Sequence, residues 1–201
     1  MTTNELTQKH WNYYLMLEQK LLETRNYVEF CKKNFNTSSN EFCLLIISIG
    51  AELDNFLKTF CKIAVRARND RANNMKKYSA YLSQHYSKIV TEEITVMNTD
   101  PIITLFPFDS LNSSKQLLWW DAYNAVKHNR YKSFKDAKLI NAITILSALY
   151  LLEMKMFKEI YQHSRNKTHA VDCPLNQSKL FKLKKWNFNC SPGSELVVVS
   201  I

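Results

Sequence analysis

Residues 139–152 read Leu139-Ile140-Asn141-Ala142-Ile143-Thr144-Ile145-Leu146-Ser147-Ala148-Leu149-Tyr150-Leu151-Leu152, the most apolar run in the chain. Leu139, Ile143, Leu146 and Tyr150 recur at intervals of three and four, the spacing of one face of a helix. They predict a buried stripe on a long helix over 136–163, with Ser133 and Asp136 placed to cap it. Asn141, Thr144 and Ser147 interrupt the run, which falls short of the ~18 consecutive apolar residues that span a bilayer. No membrane partner is expected.

Working back toward the N-terminus, the same period recurs. Trp11, Tyr14, Leu15, Leu17, Leu21, Leu22, Val28 and Phe30 predict a long helix over 5–34. The polar stretch 36–40 reads as a loop in which Ser39 or Asn40 caps a second helix over 41–68. Its first half, Phe42 to Ile49, is apolar nearly all round, so this helix belongs at the centre. Asp54 and Lys58 form an i, i+4 pair on its second half. A third helix is predicted over 74–90.

The pattern then changes. Ile94-Thr95-Val96 and Ile102-Ile103-Thr104-Leu105-Phe106 are β-branched and flank the turn residues 98–101, so a small hairpin is predicted near 93–106. A Trp-rich helix follows over 114–130. The fold class is mainly α, a bundle of four to five long helices with a small β element. Residues 1–163 form the bundle, and 164–201 form a basic extension whose Leu196-Val197-Val198-Val199 reads as a terminal strand able to join the hairpin.

Composition agrees. The 201 residues hold two glycines and four prolines, with no proline before Pro101. Sandwiches and barrels need many tight turns, which use those residues. Lys and Arg number 27 against 18 acids, a net charge of +9 that suits nucleic acid, phosphate ligands or another anionic partner, with simple solubility as the alternative reading. The five cysteines are odd in number and three fall in helical apolar patterns, which suggests free thiols in a reducing compartment. Residues 1–8 show no signal-type apolar core. A cytoplasmic protein is expected.

Chemistry concentrates in the Trp-rich helix, Trp119-Trp120-Asp121-Ala122-Tyr123-Asn124-Ala125-Val126-Lys127-His128-Asn129-Arg130. Asp121, Asn124 and His128 share one helical face, with Lys127 beside them. A histidine titrating near neutrality serves as acid or base in phosphodiester cleavage, and a neighbouring cation stabilises the charge on phosphorus. The alternative is a structural knot in which Asn124 and His128 bond a buried helix end or a carboxylate such as Glu52 or Asp54 of the second helix.

A helical bundle with Asn-x-x-x-His near the start of its last helical pair resembles the HEPN superfamily, found in toxins, antiphage systems and RNA-processing proteins. Active members are metal-independent ribonucleases that often dimerise to build the site. Their motif is Arg, then four to six residues, then His, commonly with Asn directly after the Arg. Asn124 and His128 stand at the motif's Asn and His, and Tyr123 stands at the Arg position. The segment 51–58 resembles the acidic helical stretch that neighbours the motif in some relatives, so the likeness covers about residues 40 to 160. It implies RNA binding or metal-independent ribonuclease action, in antiphage defence or a toxin–antitoxin system, with a homodimer as the assembly. On that reading His128 is the acid or base, Asn124 orients the phosphate, and Lys127 or Arg130 replaces the missing arginine. The competing class is a non-catalytic protein-interaction module of the same fold.

Other sites weigh less. Arg66, Arg68, Arg71, Lys76, Lys77 and Lys132, interleaved with tyrosines, suit phosphate contact with base stacking. Lys135 and Lys138 extend that basic surface. Arg165-Asn166-Lys167-Thr168-His169 places Arg and Asn ahead of His at too short a spacing and reads as coincidence. His163, His169, Cys173 and Cys190 are spaced by six, four and seventeen, which matches no compact zinc pattern, so neither metal nor cofactor is expected. With no Gly-rich phosphate loop, no serine nucleophile elbow and no His-Glu-x-x-His helix, P-loop hydrolysis and metalloprotease action are excluded.

Overall fold

The computed structural model describes residues 1–64, 74–111, 117–165 and 171–186. Of the described residues 66% are helical, and they include a three-stranded antiparallel sheet. The helices are α1 (Thr3–Leu6), α2 (Asn12–Glu23), α3 (Asn40–Ala64), α4 (Met75–His85), α5 (Leu118–His128), α6 (Arg130–Ser133) and α7 (Leu139–His163). A π-helical turn, Thr7–Trp11, joins α1 to α2.

α3 and α7, each of 25 residues, form the centre and pack on one another. Phe42, Leu45, Ile46 and Ile49 of α3 are all buried. So are Leu139, Ile143, Leu146 and Tyr150 of α7, together with Ala142, Ile145, Ser147, Ala148 and Leu149 between them. Among the described residues α7 is the one helix long and apolar enough to cross a membrane by length and composition, and 78% of that stretch is buried inside the bundle.

Local boundaries moved where tertiary contacts competed with periodicity. The predicted helix over 5–34 stops at Glu23, with a 3₁₀ turn at Thr24–Asn26. The Thr24 hydroxyl donates back to the Leu21 carbonyl at 2.6 Å, and the Arg25 guanidinium donates to the Met97 carbonyl at 3.0 Å while lying 4.6 Å over the Phe30 ring. Those contacts turn the chain and bury Phe30. Ser39 caps α3 as expected, accepting from Phe42 N–H at 3.0 Å. Ser133 and Asp136 do not cap α7: its N-cap is Lys138, with no side-chain bond. The first amides of α7 are satisfied by the loop before α3 instead, Leu139 N–H donating to Thr37 and Ile140 N–H to Phe35.

The hairpin forms as β1 (Ile94–Val96) and β2 (Ile103–Leu105), with Ile94 opposite Leu105 and Val96 opposite Ile103. Its third strand, β3, is Phe181–Leu183, paired to the other edge of β1. Residues 196–199, expected to fill that role, lie outside the described residues. Alternation places Phe181 and Leu183 in the core and Lys182 in solvent, so a run that reads as basic is half hydrophobic by face.

One buried carboxylate fastens this segment. Glu18 of α2 accepts from the Tyr14 hydroxyl at 2.6 Å, from Lys179 N–H at 2.9 Å, from Leu180 N–H at 3.3 Å and from the Ser178 hydroxyl. Both oxygens accept, Oε1 three times and Oε2 once, which is what allows a carboxylate to sit at 2% exposure.

Candidate nucleic-acid interface

α5 owes its position to one close approach. Trp119, Ala122, Tyr123 and Val126 form its buried face. The Tyr123 ring lies on the backbone of α3 at Gly50. The Tyr123 hydroxyl accepts from Lys127 Nζ at 3.1 Å, and that ammonium also lies 5.1 Å from the ring centroid. At 3% exposure Tyr123 is a packing residue, and it draws Lys127 back along its own helix, away from the His128 face.

α5 ends at His128. Asn129 has left the helix (φ −151°, ψ 73°) and its side chain caps α6 by accepting from Lys132 N–H at 3.2 Å. Arg130, expected in the same helical turn as His128, therefore begins a different helix. Its Nη1 donates to Asn40 Oδ1 at 3.1 Å, at the start of α3.

His128 is exposed and Asn124 half-buried, one turn apart on α5. Neither side chain has a hydrogen bond to another described residue, so the expected knot with Glu52 or Asp54 does not form. The geometry of α3 explains why. Gly50 faces α5, and Glu52, two residues on, lies about 200° around the axis. It faces the N-terminal helix, where His10 Nδ1–H donates to Glu52 Oε1 at 2.9 Å, each side chain 13% exposed. Asp54 bonds Lys58 Nζ at 2.7 Å. α5 also runs antiparallel to α3, with Tyr123 on Gly50 and Arg130 at Asn40. His128 and Asp54 thus lie in opposite directions from the Tyr123–Gly50 contact, roughly 13 Å apart along the axis.

The expected basic surface also divides. Arg66, Arg68 and Arg71 lie outside the described residues. Lys76 and Lys77 are exposed on α4, whose Tyr78 faces Asp54 and Cys61 on the second half of α3. That is about 20 Å or more along α3 from Asn40, so they do not join Lys132 in one patch.

Lys132 belongs to a different cluster. α3 and α7 start side by side: Ser38 bridges Lys138, and Ser39 N–H donates to the Ala137 carbonyl at 3.2 Å. Two 25-residue helices therefore direct the positive ends of their dipoles to one end of the bundle. α5 and α6 deliver Lys127, Arg130, Lys132 and, just beyond, Lys135, all exposed; Lys138 is half-buried. Exposed Lys32 and Lys33 arrive on the loop whose Phe35 and Thr37 carbonyls hold the start of α7. The segments at this end thus carry seven cations against three acids, Glu29, Glu41 and Asp136. His128 opens beside them, and Tyr131 stands 93% exposed among them.

Sequence reading missed Lys32 and Lys33, because nothing local shows that residue 38 pairs with residue 138. It also missed His10 and Glu153. Glu153 of α7 is fully buried, neither carboxylate oxygen has a hydrogen-bond partner, and burial with the nearby Glu52 charge pushes its carboxyl well above the usual range. Burial also raises the Asp121 carboxyl on α5. Of the zinc-type residues, His163 Nδ1–H donates to the Glu159 carbonyl, Cys173 is a buried thiol, and His169 and Cys190 lie outside the described residues. Among the described residues no three His, Cys, Asp or Glu side chains group as a metal site.

No protein-family model matches the sequence, and neither a curated protein nor a solved structure is similar to it.

Proposed function

We propose that this chain binds RNA at the end of the bundle where α3 and α7 begin. The observation that carries the reading is the convergence there of two long helix N-termini with exposed Lys32, Lys33, Arg130, Lys132 and Lys135. Polyanion binding needs such a field: cations displace counterions from phosphates, and helix N-termini add fixed positive potential. The resemblance to the HEPN superfamily supports RNA as the anion, and it implies a homodimer and a role in antiphage defence or a toxin–antitoxin pair.

The same face is where metal-independent cleavage would occur. His128 would take the proton of the ribose 2′-hydroxyl as that oxygen attacks phosphorus, with Asn124 against the phosphate. The P–O bond to the 5′-oxygen would break as that oxygen takes a proton from water, leaving a 2′,3′-cyclic phosphate on one product and a 5′-hydroxyl on the other. With Lys127 turned toward Tyr123, Arg130 is the better placed charge stabiliser. A specific observation favours the non-catalytic reading beside it: Tyr123 fills the motif's arginine position as a core residue, and among the described residues no side chain hydrogen-bonds the exposed His128 ring. Binding is therefore the firmer half of the proposal.

The test is fluorescence anisotropy of a labelled RNA over a range of salt, comparing wild type with Arg130→Ala/Lys132→Ala. Binding that weakens with salt, and weakens at least ~10-fold in the double variant, supports the interface. An affinity that the double variant leaves unchanged, or no RNA binding by wild type, moves the function to a protein-interaction module.

A further inference from the structure

Resting on that RNA-binding reading, we infer that the bound RNA is single-stranded, with an unpaired base stacked on Tyr131 while its phosphates lie on Arg130 and Lys132. Tyr131 is the most exposed large hydrophobic side chain among the described residues, at 93%. Phe134, three residues on and 37% exposed, begins the 3₁₀ turn Phe134–Asp136 that follows α6. A bare phenol ring costs solubility and gains nothing in packing. Here it sits between two cations on a segment with little freedom: Asn129 caps α6 through Lys132 N–H, and the Arg130 guanidinium is tied to Asn40. A fixed aromatic face flanked by cations matches a strand that presents a base face and a phosphate at each step.

An A-form duplex offers neither surface together. Its bases are stacked internally, its major groove is deep and narrow, and it presents 2′-hydroxyls and phosphates along a shallow minor groove. The rings would face ribose and water there, and only the cations would bind. Splayed, unpaired bases make use of both.

The experiment measures the affinity of the full chain for one labelled 12-nucleotide RNA, alone and annealed to its complement. Wild type, Tyr131→Ala, Tyr131→Phe and Lys132→Ala are compared across salt. We expect single-stranded RNA to bind at least ~10-fold more tightly than the duplex. Tyr131→Ala should lose about 10-fold on the single strand with the salt slope unchanged, and Tyr131→Phe should retain the wild-type affinity. Lys132→Ala should lower the slope by roughly 0.7. Equal affinity for duplex and single strand overturns the inference. So does a Tyr131→Ala variant that binds like wild type while Lys132→Ala weakens; in that case the interface stands as an electrostatic one. No binding to either RNA by wild type removes the RNA reading itself, and this inference with it.

Discussion

The ring of Tyr123 takes the space that a side chain at Gly50 would need: a Cβ built on Gly50 falls 2.2 Å from Tyr123 Cδ2. The only glycine in the first 190 residues therefore sits mid-helix for a packing reason, and it sets how closely α5 approaches α3.

Gly50→Ala should destabilise the protein. Alanine gains up to ~1 kcal/mol of helix propensity over glycine. The clash with a buried ring costs about 1–3 kcal/mol by forcing side-chain and backbone shifts. A net loss is expected in the urea midpoint, and it should be partly recovered when Tyr123→Leu is combined with it. A Gly50→Ala protein with a higher midpoint than wild type would show that the contact is looser than described.

Glu18→Ala should release the C-terminal segment from α2. Removing the carboxylate strands Lys179 N–H and leaves Leu180 N–H and the Tyr14 hydroxyl with the Ser178 hydroxyl as their one remaining partner. Each buried donor left alone costs about 1–3 kcal/mol. Amide exchange should accelerate first at residues 179–183, ahead of α3 and α7. Uniform acceleration through the whole chain would argue against a local fastening.

Glu153 makes stability fall as pH rises. Its folded carboxyl titrates well above the unfolded value because of burial, with Glu52 adding to it. The neutral acid therefore belongs to the folded state. Its stabilising effect is complete below the unfolded value, near pH 4.5, and is lost as pH climbs toward the folded one. Glu153→Gln keeps the shape and cannot ionise. Relative to wild type it should gain stability progressively between pH 5 and pH 8, read from urea midpoints at three pH values. Parallel curves for the two proteins would mean that the carboxyl is not held neutral.

If the exposed face cleaves RNA, His128→Ala should reduce the rate by on the order of 10²-fold or more, as loss of an acid–base group does. A chelator should have no effect, and the folded stability of the variant should match wild type because His128 bonds nothing in the core. Products of wild type should carry 2′,3′-cyclic phosphate ends. Cleavage that persists in His128→Ala, or that stops with chelation, excludes this chemistry.

The tertiary structure settled which polar residues meet. Asn124 and His128 share a face because four residues make about one helical turn, and that much is local. Whether Glu52 faces them depends on a 200° rotation between neighbouring positions of α3 and on which helix docks at Gly50. His10, Glu52 and Glu153 are 42 and more residues apart and carry no shared motif, so their proximity has no linear signature.

By itself the sequence determined the helical character, the central place of α3, the buried stripe of α7, and the hairpin. Each follows from a short-range period, 3.6 for the helices and 2 for the strands, together with scarce glycine and proline. Only the tertiary structure decided that the helix after residue 5 stops at Glu23, that β3 comes from 181–183, and that α3 and α7 start side by side. Those outcomes turn on long-range hydrogen bonds: Arg25 to Met97, Glu18 to Lys179 and Leu180, Leu139 to Thr37. A buried donor or acceptor must be satisfied somewhere, but periodicity does not say by which partner. The basic end of the bundle exists because that choice brought residues 32–38 and 130–138 together.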